Sequence, residues 1–346
     1  MYKRIVLSRF GGLGDMVMMS PLLKGIKELY PDTKLTVVGN TNARQLMEAY
    51  PFVDEYLTFD KTTKTSWMLI KKLWRSDIVY LMDTLYRPSI IYALACIKKR
   101  IGLPHKRKFW LTDSLEIEPW MNYAFEPVVY AHFLKKATGI DVTTLSNWDK
   151  FFYPDATTVD KRHVRDMLEP LGNKGYIVSS LETGGYAKNW PKEHWQTLFN
   201  ELRIMGKSIV LIGQSSQSYI DINLPDNVLD LRGKTNLLEV GEIIRNAELA
   251  INGCSFPVHV ANAVNTPVIG LYGSQPVWRG APQRIYKAIT SPVKCAGCDL
   301  LFNGPGWCEK PVCMKQITPV EVMNYVKQFY NEGKPLGKYN LVTGGY

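Results

Sequence analysis

Three apolar residues, Ile5-Val6-Leu7, run into Arg9-Phe10-Gly11-Gly12-Leu13-Gly14-Asp15, and this junction narrows the available folds more than any other part of the chain. A short apolar strand, a glycine loop and a helix over Met16–Tyr30 open a βαβ unit, whose strands lie parallel. Gly11, Gly12 and Gly14 let the backbone approach a ligand closely, and the helix N-terminus behind them suits an anion. Asp15 alters that picture, because a carboxylate repels phosphate. It faces either an uncharged group, such as a hydroxyl it deprotonates, or it caps the helix as Asp commonly does. A dinucleotide fingerprint needs a small residue where Val17 stands, and a P-loop needs Gly-Lys-Ser/Thr, so both are set aside.

The same alternation continues. Strand patterns at Leu35–Val38, Tyr56–Phe59 and Ile78–Leu81 lead into helical patterns at Ala43–Ala49, Ser66–Trp74 and Ser89–Ile97. Pro154 through Val159 reads as the end of this half. The pattern restarts with strands at Tyr176–Ser179, Ser208–Ile212, Val228–Leu231, Leu249–Asn252 and Val268–Leu271. Helices are expected at Glu193–Arg203, Leu237–Asn246 and near Pro257–Ala263. The expected fold is α/β, with two doubly wound Rossmann-like domains over 1–160 and 170–318 facing a central cleft, and ligands at the carboxyl ends of the strands. Residues 319–346 form a C-terminal helix and tail. Val320, Met323, Val326 and Phe329 lie at helical spacing, and this segment is expected to pack back on the N-terminal domain.

A chain of 346 residues with 46% hydrophobic and 21% charged content has enough apolar material for two cores and is not a disordered tail. No apolar run approaches the roughly 20 residues that span a bilayer, and the N-terminus enters a strand without a leader pattern. A cytoplasmic protein is expected. The net charge of +10 favours acidic partners: anionic phospholipid, a phosphorylated glycan, a nucleotide-sugar or nucleic acid. Nucleic acid is set aside because no helix-turn-helix, RNA-recognition or zinc-finger pattern is present. The densest basic stretch, Lys98-Lys99-Arg100 and His105-Lys106-Arg107-Lys108, reads as a solvated loop or, with Trp110 beside it, as a contact with an anionic membrane.

In the second half, Lys188-Asn189-Trp190-Pro191 follows a loop containing Gly184 and Gly185. Lys188 is either an exposed lysine or a cation for a departing diphosphate. Cys254-Ser255-Phe256-Pro257-Val258-His259 joins a strand to a helix, with His259 facing ligand or core; Gly273-Ser274 is a similar junction. Cys295-x2-Cys298 and Cys308-x4-Cys313, with Gly297, Gly304 and Gly306 between, form a compact cluster over 295–313. Four thiolates can hold a structural zinc or iron, and the alternatives are reduced thiols or a disulfide pair.

Taken together, these segments resemble the bacterial heptosyltransferases, glycosyltransferase family 9, of GT-B fold. The resemblance runs from Ile5 to about Phe329. Besides Leu7–Asp15 it rests on Ser20-Pro21-Leu22, Tyr30-Pro31-Asp32, Lys188-x-Trp190-Pro191-x-x-His194-Trp195, Leu231-Arg232-Gly233-Lys234-Thr235, Pro257-x-His259-x-Ala261-x-Ala263, Thr266-Pro267-Val268 and Cys313-Met314-x-x-Ile317-Thr318-Pro319. It implies inverting transfer of a sugar from a nucleotide-diphospho-sugar, ADP-heptose or a relative, to a hydroxyl of lipopolysaccharide or another glycan or lipid-linked acceptor at the inner membrane face. By the same resemblance Asp15 is the general base and Lys188 neutralises the donor diphosphate, with no cofactor required. Gly184, Gly213, Ser215, Gln217, Ser255, Pro257 and His259 would bind the donor, and Gly11, Gly12 and Gly14 would form the acceptor or phosphate loop.

The chain departs from the family at two places. Cys254 stands where an acidic residue is usual, with Phe256 for a glycine, and Gln214-Ser215-Ser216-Gln217 stands where a glutamate often meets the ribose. The cysteine cluster is similar, with looser spacing, to the metal-bearing finger of protein-modifying heptosyltransferases. The alternatives are therefore a protein-modifying heptosyltransferase, a GT-B sugar-nucleotide epimerase, or a catalytically lapsed sugar-nucleotide-binding protein.

Overall fold

The computed structural model describes residues 2–214, 222–281, 286–302, 308 and 311–332. The chain forms two compact units, one of residues 1–121 and 126–154 and the other of 122–125 and 155–346.

The first unit runs β1 (Arg4–Ser8), α1 (Leu13–Leu29), β2 (Lys34–Gly39), α2 (Arg44–Ala49), β3 (Glu55–Thr58), α3 (Thr63–Lys72), β4 (Ile78–Leu81), α4 (Tyr86–Leu94), β5 (Lys99–Gly102), β6 (Asp113–Ser114) and α5 (Glu126–Thr138). Its sheet has the order β3-β2-β1-β4-β5-β6, with every pairing parallel. Ile5, Val6 and Leu7 are wholly buried, as a strand covered on both faces requires. α1 begins at Leu13, three residues before the expected start, with Gly12 as its N-cap. Pro21 lies inside this helix and cannot donate to the Val17 carbonyl; the Ser20 hydroxyl donates to that oxygen instead at 2.6 Å.

The second unit runs α6 (Thr158–Leu168), β7 (Tyr176–Ser180), α7 (Lys192–Ile204), β8 (Ser208–Leu211), β9 (Val228–Asp230), α8 (Leu237–Asn246), β10 (Leu249–Gly253), α9 (Phe256–Ala263), β11 (Val268–Tyr272), α10 (Val277–Gly280), β12 (Lys287–Thr290), α11 (Cys313–Gln316) and α12 (Pro319–Asn331). Its sheet order is β12-β11-β10-β7-β8-β9, again parallel throughout. Numbered from the first strand of each unit, both sheets follow the doubly wound order 3-2-1-4-5-6. In that order the chain reverses direction across the sheet between strands 1 and 4, and the crevice beyond their carboxyl ends is where such folds bind ligands. The switch points are β1/β4 in the first unit and β7/β10 in the second.

Several segments differ from expectation. Lys99 and Arg100 begin β5 instead of forming a loop, and Lys98 stands in the bend before it. Residues 154–159 lead into α6, whose capping box of Thr157 and Asp160 satisfies its first N–H groups. The segment expected to return to the N-terminal domain, α12, packs instead on α7. Val322, Met323, Val326 and Phe329 are buried in the second unit's core with Trp190, Trp195, Leu198 and Phe199. α7 buries one apolar stripe, Trp195, Leu198, Phe199 and Leu202, in the same core as these α12 residues. Replacing Phe329, wholly buried beside Tyr286 at 5.1 Å between ring centroids, by alanine is expected to destabilise the second unit by about 3–5 kcal/mol. A urea titration followed by tryptophan fluorescence measures the loss; an unchanged midpoint would remove α12 from that core.

Candidate active site

At the first switch point, Asp15 occupies the first turn of α1 and both of its oxygens are engaged. Oδ2 accepts the Gly12 N–H at 2.5 Å and Oδ1 accepts from Arg9 at 3.0 Å. Of the two roles weighed for this residue, the capping one is present: from the first turn Asp15 accepts the N–H of the N-cap Gly12. A Cβ on Gly11 would overlap the carboxylate, so glycine is what allows Asp15 to fold back over the loop. Asn40, after β2, holds the Gly11 carbonyl at 3.0 Å.

Arg9 is the hub. Its guanidinium also donates to Glu126 Oε1 at 3.3 Å, to the Tyr130 hydroxyl at 2.7 Å and to the Met82 carbonyl at 3.1 Å, while its Cζ lies 5.3 Å from the Tyr130 ring centroid. Burial works against the Arg9 charge, but Asp15, Glu126 and Asp83 outweigh it and hold the group above its ordinary value. Glu126 is completely buried, and the Tyr130 hydroxyl donates to the same Oε1 that faces Arg9. Asp83, two residues past β4, is pushed up by burial against the Leu85 N–H and the charges of Arg107 and Arg9. Arg107 is also completely buried. It donates to the carbonyls of Leu103, Leu85 and Asp83, so the basic run read as a solvated loop has one member inside the fold. No sequence signal marked the pairing of Glu126 and Tyr130 with Arg9, 117 and 121 residues apart, or of Arg107 with Asp83, 24 residues apart.

At the second switch point, the loop after β7 carries Gly184, Gly185 and Lys188. Thr183 organises it, donating from its N–H to Asn189 Oδ1 at 2.8 Å and from its hydroxyl to the Gly185 carbonyl at 2.8 Å. Lys188 is half-buried and its ammonium lies 3.5 Å from Gln275 Oε1, just past the Gly273-Ser274 junction. Gly253 ends β10, where a Cβ would stand 3.0 Å from Thr183 Cγ2 and 3.2 Å from the Lys188 carbonyl. The loops after β7, β10 and β11 therefore converge, bringing Lys188 and Ser255 to one edge. Ser255 is the N-cap of α9, Pro257 sits in its first turn, and His259 is buried. Gly213 ends the β8 segment at φ +128°, a conformation that favours glycine, and its carbonyl accepts the Gly233 N–H at 2.8 Å. Ser215 and Gln217 lie outside the described residues.

The metal knuckle weighed for the cysteine cluster finds no support among the described residues. Cys295, Cys298, Cys308 and Cys313 are free thiols, and no group of three or more His, Cys, Asp or Glu among the described residues is placed to hold an ion. Burial, then neighbouring thiols, pushes Cys298 up, and burial likewise pushes up Cys313, which is buried under the Gly273 backbone at the start of α11.

A glycine loop presenting a carboxylate in one unit, a lysine loop in the other and the doubled sheet order together match a known pattern. A family model for glycosyltransferase family 9 (heptosyltransferase) matches residues 66–298. The chain belongs to this family. It is a glycosyltransferase of GT-B fold. It is 25% identical over 296 residues to the lipopolysaccharide core heptosyltransferase OpsX of Haemophilus influenzae, covering 81% of this chain and 82% of that protein. Among solved structures it is similar to a family 9 glycosyl transferase of Veillonella parvula, with a TM-score of 0.76 at 17% identity, covering 96% and 98% of the two chains. It is also similar to the ADP-heptose lps heptosyltransferase II of E. coli, with a TM-score of 0.75 at 19% identity, covering 96% and 100%. No helix among the described residues of the transferase is long and apolar enough to cross a membrane.

Replacing Glu126 by leucine leaves the Arg9 guanidinium of the transferase one buried carboxylate short and is expected to cost about 3 kcal/mol. Tyr130→Phe, which deletes one hydroxyl from the same cluster, is expected to cost about 1 kcal/mol. Urea midpoints at unchanged slope measure both.

Proposed function

We propose that this glycosyltransferase moves a heptose from a nucleotide-diphospho-heptose, ADP-heptose or a close relative, to a hydroxyl of the lipopolysaccharide core, with inversion at the anomeric carbon. The observation that carries this reading is the Asp15 carboxylate, held by Arg9 and by the Gly12 N–H at the β1/β4 switch point. A sugar hydroxyl is a weak nucleophile, so a positioned carboxylate must take its proton as the oxygen attacks. The new bond forms from that oxygen to the anomeric carbon, and the bond from this carbon to the diphosphate oxygen breaks on the opposite face. Arg9 spreads its charge over Glu126 as well as Asp15, which orients the base without spending the whole cation on it.

In this reading the second unit binds the donor. Lys188, joined by the loop residues Gly184, Gly213, Ser215 and Gln217 and by Ser255, Pro257 and His259, meets the nucleotide, and its ammonium stabilises the departing diphosphate. Cys254, standing where an acidic residue is usual in the family, is 2% exposed at the end of β10, so the donor contact falls to Ser255 and Lys188. Gly11, Gly12 and Gly14 border the acceptor. Two of the named relatives, OpsX and heptosyltransferase II, are lipopolysaccharide heptosyltransferases, which supports a lipid-linked acceptor and work at the cytoplasmic face of the membrane.

Asp15→Asn is expected to lower transfer by roughly 10² to 10⁴-fold while calorimetric donor binding is retained. Lys188→Ala is expected to lower kcat by on the order of 10²-fold and to weaken donor binding as well. Release of nucleoside diphosphate in the presence of acceptor reads both. Turnover of Asp15→Asn at the wild-type rate would assign the base elsewhere.

A further inference from the structure

Residues 61–75 carry five Lys or Arg and residues 86–110 carry seven, and neither segment contains an Asp or Glu. Part of this charge is absorbed by the fold: Lys72 lies 3.6 Å from Glu55, Lys98 lies 3.0 Å from Asp77, and Arg107 is buried beside Asp83. Lys64, Lys71, Arg75, Lys106 and Lys108 are exposed and carry no ion pair among the described residues.

Large aromatic side chains stand among these cations. Trp67, on α3, is 60% exposed; it lies three residues after Lys64 and four before Lys71, the spacing of one helix face, and all three line one surface pocket. Phe109 is 87% exposed and stands edge-on to Trp110, with 5.2 Å between ring centroids. The two places form one surface. The Trp110 indole donates to the Tyr86 hydroxyl at 3.1 Å, at the start of α4, and Arg87 next to it donates to the Lys61 carbonyl at 3.2 Å, just before α3. α3 itself packs on α4.

We propose that this face, made of α3, the start of α4 and the turn 106–110, docks the transferase on an anionic phospholipid bilayer. Lysines draw a protein to such a surface, and each contributes about a five-fold gain in partition. Tryptophan and phenylalanine that face water gain by entering the headgroup boundary, where the apolar ring is covered. Two features distinguish this face from an ordinary solvated one: the absence of acidic residues in both segments, and aromatic rings held out by hydrogen-bonded neighbours. A dispersed basic surface has counter-charges interleaved and its rings folded inward. The inference rests on the proposed lipid-linked acceptor, for which docking would place the enzyme beside its substrate.

The test is co-sedimentation of the full chain with phosphatidylcholine vesicles, with and without phosphatidylglycerol. Binding to the phosphatidylglycerol vesicles alone, falling with salt, is expected. Lys64→Ala/Lys71→Ala should weaken it about twenty-five-fold. Trp67→Ala/Phe109→Ala should weaken it ten-fold or more with the salt dependence retained. Donor binding equal to wild type checks that both double variants fold. Asp15→Asn should bind vesicles normally, so a failure of the catalytic reading and a failure of docking are separable. Equal binding to both vesicle types, or binding that neither double variant changes, would overturn the proposal. Loss in the lysine variant with full binding in the aromatic one would also overturn it, marking a general polyanion site instead of a bilayer contact.

Discussion

The charge of Arg9 has to be accommodated inside the first unit, and the geometry around the glycine loop follows from how that is done. An arginine immediately after a buried parallel strand cannot leave its guanidinium unpaired. Three elements distant in sequence answer it: Asp15 from the first turn of α1, the Met82 carbonyl from the end of β4, and Glu126 with Tyr130 from α5. Because each of these must reach one planar fork, the cation fixes the loop conformation, the position of α5 and the direction of the Asp15 carboxylate together. A chemically useful group is thereby held by a structural necessity.

The second unit solves its positioning problem with backbone instead of charge. Its switch point repeats the sheet order of the first, but the loop bearing Lys188 is held by Thr183 and Asn189 and laid against Gly253, where there is no side chain to push it away. Glycine has the same use at Gly11, where a Cβ would displace Asp15. In both units the residue proposed to carry the chemistry is approached closely by glycine, and in both it lies beyond the carboxyl end of the first strand. That is a consequence of topology: reversal of winding between strands 1 and 4 leaves these loops free to diverge and open a crevice.

The basic stretch around residue 100 shows how one run of sequence is divided by a fold. Lys99 and Arg100 enter β5, a short strand between β4 and β6. Arg107 turns inward to Asp83, and Lys106 and Lys108 on either side of it stay in water. Linear charge density alone has no means of separating these fates, because they depend on whether a carboxylate from another strand lies within reach.

What the amino-acid order determined by itself is the repeating architecture. The apolar strands, their spacing and the glycine junctions at 11–14, 184–185 and 273 imply two doubly wound sheets, since fully buried parallel strands and their crossover helices leave a periodic trace. Asp15 and Lys188 were legible for the same reason, standing at fixed offsets from those strands. The tertiary structure alone decided the rest: Glu126 and Tyr130 on Arg9, Arg107 under Asp83, α12 on α7, and free thiols from among the states open to the four cysteines. These outcomes turn on burial and on partners brought together from far along the chain. The energy of a buried charge, of an apolar helix face or of a thiol is set by what surrounds it, and a local pattern does not contain its own surroundings.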